Sequence, residues 1–328
     1  MTRFGLLVPH FGVEADQDLL IDGAQLAERL GYDSLWVRDH LVFHPHGMEG
    51  TDRTFIEPFV TLTYMAAKTE RIGIGAATII PFRNPLLMAY SVASMSWLTR
   101  RRFDLGIGAG NFQHEFDVIG QGDINRPEMM REQTLIAREL WTGKSVEWNS
   151  DLYQFKDVDL KPQPLYPVPV WWGGATPASA RLAVDFCDGW LPGRITFPTY
   201  DVRVKKIREM TAEQGRKMIW TGAVPVMSID ESYDKAVNRL SVEGLIDNAN
   251  HQKFWIKPEG GKFTKIEELD GSLLAGSPDD IVRGIQRYQE IGADLLIFDF
   301  RLRFADYLEQ IEILAREVLP KVSLKAPA

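Results

Sequence analysis

A chain of 328 residues with 45% hydrophobic content and a single cysteine is long enough to bury a large core without disulfides. Its net charge of −8, with no basic run and no Lys/Arg stripe interleaved with aromatics, argues against a nucleic-acid partner. The lone Cys187 fits a reducing compartment, residues 4–9 are too short for a signal peptide, and no apolar run approaches the ~18 residues that span a bilayer; a cytoplasmic, soluble protein with no membrane partner is expected.

Residues 4–8 read as a first strand, and 16–30 as an amphipathic helix stopped by Gly31. Strand two follows at 34–37, a helix at 57–68, strand three at 72–80 and a helix at 85–98. Strand four is placed at 103–107 and its helix at 128–141. Residues 143–167 are rich in aromatics, Asp and Pro and read as a hairpin followed by an extended, Pro-held segment. Strand five (168–172), a helix (178–186), strand six (189–191), a helix (200–214) and strand seven (219–227) come next. Residues 245–277, with weak periodicity and a Pro-Glu-Gly-Gly break, read as an insertion or lid. A helix at 278–291, strand eight at 294–299 and a helix at 304–318 complete the pattern.

One phrase recurs at the start, middle and end: LAERLGYDSLWV, LAVDFCDGWLP and YQEIGADLLIFDF. Each copy ends a helix, turns through Gly-x-Asp or Cys-Asp, and enters an apolar run. Continuous apolar strands separated by helices indicate a parallel sheet covered on both faces. Eight of them predict a single α/β domain over 1–328, a (β/α)8 TIM barrel with a late insertion. An open doubly wound sheet is the competing arrangement.

In a barrel the chemistry sits on the loops after the strands. Collected there are His10; Arg38, Asp39 and His40; Arg83 and Asn84; Gly108, Ala109, Gly110, Asn111, His114 and Glu115; Gly173 and Gly174; Arg194; and Arg301 and Arg303. Asp39-His40 is read as an acid/base or ring-contact pair in which the carboxylate holds the imidazole; a histidine stacked on the rim is the plainer reading. The glycines at 106, 108 and 110 have the wrong spacing for a dinucleotide fingerprint. They either admit a flat ring or a phosphate, or form a tight turn. Gly173-Gly174 before a helix with Pro177 at its start is a candidate anion site or a simple turn. His44-Pro45-His46 has no obvious carboxylate partner, so no metal is expected. Cys187 reads as a small buried apolar residue.

Seven segments, in order, resemble the luciferase-like family of flavin- and deazaflavin-dependent oxidoreductases: FGLLVPHFG, AERLGYDSLWVRDHL, RIGIGAATIIPFRNP, RRRFDLGIGAGNFQHEFDVIG, YQFKDVDLKPQPLYPVPVWWGG, DFCDGWLPG and GSPDDIVRGIQRYQEIGADLLIF. The resemblance implies a (β/α)8 barrel, often a homodimer, with a reduced FMN or F420 ring at the rim. It implies that His40, paired with Asp39, contacts the ring or moves a proton, and that a non-proline cis bond falls at Ala77–Thr78. It also assigns Gly108, Ala109 and Gly110, with Asn111 beside them, to backbone contacts with the cofactor, and Gly173, Gly174 and Ala175 to its phosphate or tail. One departure stands out: the sugar-phosphate dehydrogenase branch carries a catalytic glutamate where this chain has Asn111.

The leading functional expectation is a two-component monooxygenase using O2 and reduced FMN from a flavin reductase. His40 and His10 would handle protons, and Arg194 and Arg301 would hold an anionic or carbonyl group of a small organic substrate. The alternative is an F420-dependent hydride transferase. A non-catalytic flavin-binding protein and a metal-dependent barrel hydrolase complete the set.

Overall fold

A computed structural model describes residues 1–45 and 47–322. Its strands are β1 (Arg3–Leu7), β2 (Ser34–Val37), β3 (Gly73–Ile79), β4 (Phe103–Ile107), β5 (Val146–Asn149), β6 (Gln154–Val158), β7 (Val170–Gly173), β8 (Gly189–Leu191), β9 (Trp220–Ala223), β10 (Val226–Ile229), β11 (Leu273–Gly276) and β12 (Leu295–Phe298). Eight of these close into a barrel in the order β1–β12–β9–β8–β7–β4–β3–β2. Every neighbouring pair is parallel. The expected α/β barrel is therefore the fold, and the open sheet is excluded.

The repeated aspartates have a structural use at the strand starts. The Asp188 carboxylate accepts from the Val170 amide at 2.9 Å, and Asp294 accepts from Thr221 at 2.8 Å. Each carboxylate thus satisfies an amide at the start of the neighbouring strand, the first of β7 and the second of β9. Helix ends follow the same economy. The helix Gln17–Leu30 begins at Asp16, whose Oδ1 accepts from the Asp18 and Leu19 amides, and stops at Gly31 with φ of 85°. The helix Pro278–Ile291 opens on a reciprocal Ser277–Asp280 capping box.

Inside the barrel Trp36, Trp171 and Phe298 are fully buried. Trp36 and Trp171 lie so close to Gly5, Gly75 and Gly189 that any side chain there would meet an indole ring. The barrel is thus a packed core rather than a pore.

Strand seven departs from the expected single run over 219–227. It breaks at Val224–Pro225: β9 stays in the barrel, while β10 leaves it and pairs in parallel with β11. Proline has no amide to give a central ladder, so the barrel strand ends there. Around the β10–β11 pair, residues 245–277 pack as a second small core of Met48, Val226, Leu245, Trp255, Phe263 and Leu269, among others. The helix Val242–His251 and the short turn Ile266–Leu269, which periodicity did not reveal, belong to it. Residues 143–167 carry the antiparallel pair β5–β6 and a cis Lys161–Pro162 bond. No described helix is long and apolar enough to cross a membrane.

Candidate active site

The loops after β2, β4 and β7 and the end of β3 meet around a cavity of about 410 Å3. Its floor comes from Ala77 and Thr78 of β3, Gly108–Asn111 after β4, and Gly173–Ala175 at and after β7. Arg38, Asp39, His40 and Glu115 form one side, and Gln252–Trp255 of the inserted segment form another. The Ala77–Thr78 bond is cis, and the β3–β4 register shifts between Ala76 and Ile79. The glycines here are required by close approach. A Cβ on Gly173 would stand 2.8 Å from Thr78 Cγ2, and one on Gly108 would stand 2.6 Å from Thr78 Oγ1. Gly174 also takes φ of 98°, a conformation that side chains disfavour.

His40 is clamped from both sides. Its Nδ1 lies 3.2 Å from Glu115 Oε1, and its Nε2 lies 3.1 Å from Arg38 Nη2. Phe43, Phe55 and Phe112 surround the ring. Glu115 is buried on the short helix Gln113–Asp117 and also accepts from the Leu41 and Val42 amides. Burial pulls its proton affinity upward, but the His40 contact and the two amides outweigh that and hold it below the usual carboxylate range. Glu115 thus stays ionised and fixes the proton on His40 Nδ1.

Asp39 does not hold His40, contrary to the expected pair. Its carboxylate forms a two-pronged ion pair with Arg83, at 2.5 and 3.0 Å, and accepts from the Ile80 amide at 2.9 Å. Adjacent residues on an extended segment point opposite ways, so consecutive Asp and His cannot share one partner face. Burial raises the Asp39 carboxyl against the pull of Arg83. At the cavity side it ties the end of β2 to the segment that follows β3.

His10 is likewise withdrawn from proton handling. It is fully buried, its Nδ1 lies 3.0 Å from the Ile56 carbonyl, and its Nε2 accepts from the Arg38 amide at 2.9 Å. Both nitrogens are used by the fold, and burial, aided by the Arg38, His40 and Arg301 charges, lowers its pKa to about 3. The folded ring stays neutral while the unfolded one takes up a proton below 6.5. Stability is therefore full above pH 6.5 and is lost as pH falls, by about 1.4 kcal/mol per unit until the folded ring itself titrates. Between pH 7 and 5 the chain is expected to lose ~2 kcal/mol from this group. Urea unfolding of wild type and His10→Asn at the two pH values checks this: equal losses would refute it.

Arg301 is paired with Glu49 at 2.7 Å and Asp299 at 2.5 Å, and these carboxylates raise its proton affinity despite burial. Arg194 does not line this cavity. Its guanidinium meets Met48 Sδ at 2.8 Å and Asn248 Oδ1 at 3.3 Å. Cys187 is buried and its thiol is pushed up by burial, as for a packing residue. His46 of the His-Pro-His sequence lies outside the described residues. The signal for Glu115 was only its position four residues past Asn111; Gln252–Trp255 fall within the 245–277 segment read as an insertion or lid, with no individual residue singled out.

A family model for luciferase-like monooxygenases matches residues 2–295. The chain belongs to that family. Among its relatives is an F420-dependent glucose-6-phosphate dehydrogenase of Amycolatopsis mediterranei, 28% identical over 295 residues, or 85% of this chain and 87% of the relative. An F420-dependent secondary alcohol dehydrogenase in complex with an F420–acetone adduct superposes with a TM-score of 0.81 at 21% identity, covering 98% of this chain and 99% of the other. The oxygenating constituent of 3,6-diketocamphane monooxygenase from a Pseudomonas putida plasmid, in complex with FMN, gives 0.78 at 19% identity with full coverage of both. As a luciferase-like protein the chain is an oxidoreductase of a family whose members act on small molecules with F420 or FMN.

Proposed function

We propose that this luciferase-like protein is an F420-dependent oxidoreductase that exchanges a hydride with a small organic alcohol or carbonyl compound. The observation that carries the reading is His40, held in the wall of a glycine-floored cavity by an ionised glutamate. The F420 enzymes among its relatives support it over the FMN monooxygenase that sequence alone ranked first.

The residues present fit such a group. Gly108 and Gly173 keep a flat floor clear, and the buried indole N–H groups of Trp172 and Trp255, two wall residues, have no hydrogen-bond partner among the described residues. Gly173, Gly174, Ala175 and Ser179, at the start of the helix Pro177–Phe186, would hold its anionic tail. When bound, F420 supplies a ring carbon that takes up or releases a hydride. With the proton fixed on Nδ1, His40 presents a lone pair at Nε2, now occupied by Arg38. A substrate hydroxyl that replaces Arg38 there gives its proton to Nε2, and Glu115 steadies the imidazolium formed. Asn111 lines the cavity where the sugar-phosphate branch has its glutamate, and an amide cannot serve as general acid. The substrate is accordingly not proposed to be a sugar phosphate.

The likeness to the FMN-bound monooxygenase keeps a second reading, with reduced FMN from a flavin reductase and O2 as co-substrate. An anaerobic screen of F420 against secondary alcohols and enones, beside oxygen uptake with reduced FMN, separates the two. Bleaching of F420 is expected; oxygen uptake with no F420 reaction would reverse the assignment. A homodimer is proposed through the helix Pro85–Thr99, which exposes Leu87, Tyr90, Trp97 and Leu98. Sedimentation velocity at twice the 37.2 kDa chain mass supports it, and a monomer refutes it.

A further inference from the structure

Arg38 lines the cavity with His40, and the reading above gives it no chemical role. The two residues stand two apart on the extended segment after β2 and so share a face, while Asp39 between them turns to Arg83. Arg38 Nη2 lies 3.1 Å from His40 Nε2. A guanidinium has only donors, so this contact requires a lone pair on Nε2 and the ring proton on Nδ1. Arg38 and Glu115 thus enforce the same tautomer from opposite sides.

Arg38 is anchored independently of His40. It is 7% exposed, and its backbone amide donates to His10 Nε2 at 2.9 Å. Its guanidinium lies over Phe11, 4.6 Å from the ring centroid, and over Phe43 at 5.6 Å, and Nη1 meets Glu49 Oε1 at 3.3 Å. Burial and the neighbouring Arg301 charge lower it to about 9, so it remains a cation at neutral pH. A group that enters between His40 and Arg38 therefore leaves the guanidinium beside it. An oxygen bridging the two makes hydrogen bonds of about 2.8–2.9 Å, so Nη2 and Nε2 need to part by ~1.5 Å.

A substrate oxygen seated there meets a proton acceptor on one side and a fixed cation on the other. In alcohol oxidation the C–H hydride passes to the F420 ring carbon, the O–H proton passes to His40 Nε2 and the C=O bond forms. The alcohol is oxidised and F420 is reduced. Negative charge develops on the oxygen as its proton leaves, and in the reverse reaction as the hydride reaches the carbonyl carbon. A donor already fixed at that oxygen stabilises the charge without rearranging at the moment of reaction.

We propose that Arg38 is a catalytic residue: its guanidinium donates to the substrate oxygen, opposite His40 Nε2, and stabilises the negative charge that develops there. The inference rests on the hydride-transfer reading and extends it by making oxygen the reacting heteroatom. A primary amine on the same carbon, protonated at neutral pH, is repelled by the guanidinium and is a poor substrate.

The test uses the full chain with F420 and the faster of 2-propanol and cyclohexanol. Arg38→Met keeps an apolar stem against Phe11 and Phe43 without charge or donor, and Glu49 retains Arg301. Its kcat is expected to fall ~10²–10³-fold, the range for one lost charge-stabilising donor, with KM for the alcohol within a few-fold. Arg38→Lys restores a cation and is expected to regain at least tenfold over Arg38→Met. The amine matching the alcohol is expected to react at least tenfold more slowly in wild type. A measurement without cofactor or substitution stands beside these: ¹⁵N NMR of ring-labelled histidine should show a proton on His40 Nδ1 and none on Nε2. A proton on Nε2 overturns the inference, as does a folded Arg38→Met protein with unchanged kcat or with a loss confined to KM. Equal rates for alcohol and amine overturn the selection of oxygen. Wild type that reduces F420 with neither alcohol overturns the proposed function and this role with it; active wild type with Arg38→Met unaffected overturns this role alone.

Discussion

His40→Gln is expected to lower turnover ~10²–10⁴-fold, the range for loss of a positioned acid/base group. Cofactor affinity should stay within a few-fold, because His40 bounds the cavity at one side while the glycine floor is unchanged. The fold should also survive: Glu115 keeps the Leu41 and Val42 amides, and glutamine can still donate to it. Glu115→Gln is the informative companion. It keeps the shape but removes the charge that fixes the His40 proton and steadies the imidazolium, so turnover should fall while His40 remains in place. Steady-state kinetics on both variants decides the matter. Unchanged turnover in His40→Gln would show that His40 is only a packed rim histidine.

Gly106→Ala is expected to destabilise the chain by 3 kcal/mol or more, beyond the ~1–3 kcal/mol typical of overpacking. A Cβ at this position would stand 2.1 Å from the Ala76 carbonyl oxygen and 3.2 Å from its carbonyl carbon. The obstacle is backbone of a central strand, which cannot rotate away as a side chain can. The sign opposes the general rule, since alanine for glycine usually stabilises by restricting the unfolded chain. Gly50→Ala, with open space around its Cβ, is the control and should stay within about 0.5 kcal/mol of wild type. Ala76 precedes the Ala77–Thr78 floor of the cavity, so cofactor affinity should fall with stability. Denaturant midpoints and F420 titrations of the two variants check both effects. A Gly106→Ala protein as stable as wild type would mean that β3 and β4 approach less closely than described.

The barrel was legible because a parallel strand covered on both faces reads as an apolar run, and aspartates such as Asp188 and Asp294 mark where runs begin. Local rules failed where pairing is remote. The β10–β11 pair joins segments separated by the whole insertion, and its first strand hid inside an apolar run interrupted only by Pro225. The glycines of the cavity were visible by their place after strands. The partners of the polar groups were not: His40 meets Glu115 across 75 residues, and Asp39 meets Arg83 across 44. Proximity in sequence suggested Asp39 for His40, whereas the fold brought a carboxylate from the loop after β4. The Ala77–Thr78 cis bond came from family resemblance, since nothing in the residue types alone demands it.

The central claim is that the cavity bounded by His40, Gly108 and Gly173 takes the deazaflavin. Parallel equilibrium titrations of the purified protein with F420 and with oxidised and reduced FMN test it most directly. Saturable F420 binding at least tenfold tighter than either form of FMN, and lost in Gly173→Val, is the predicted result. Preferential binding of reduced FMN with F420 excluded would contradict it and return the protein to the oxygen-using branch of its family.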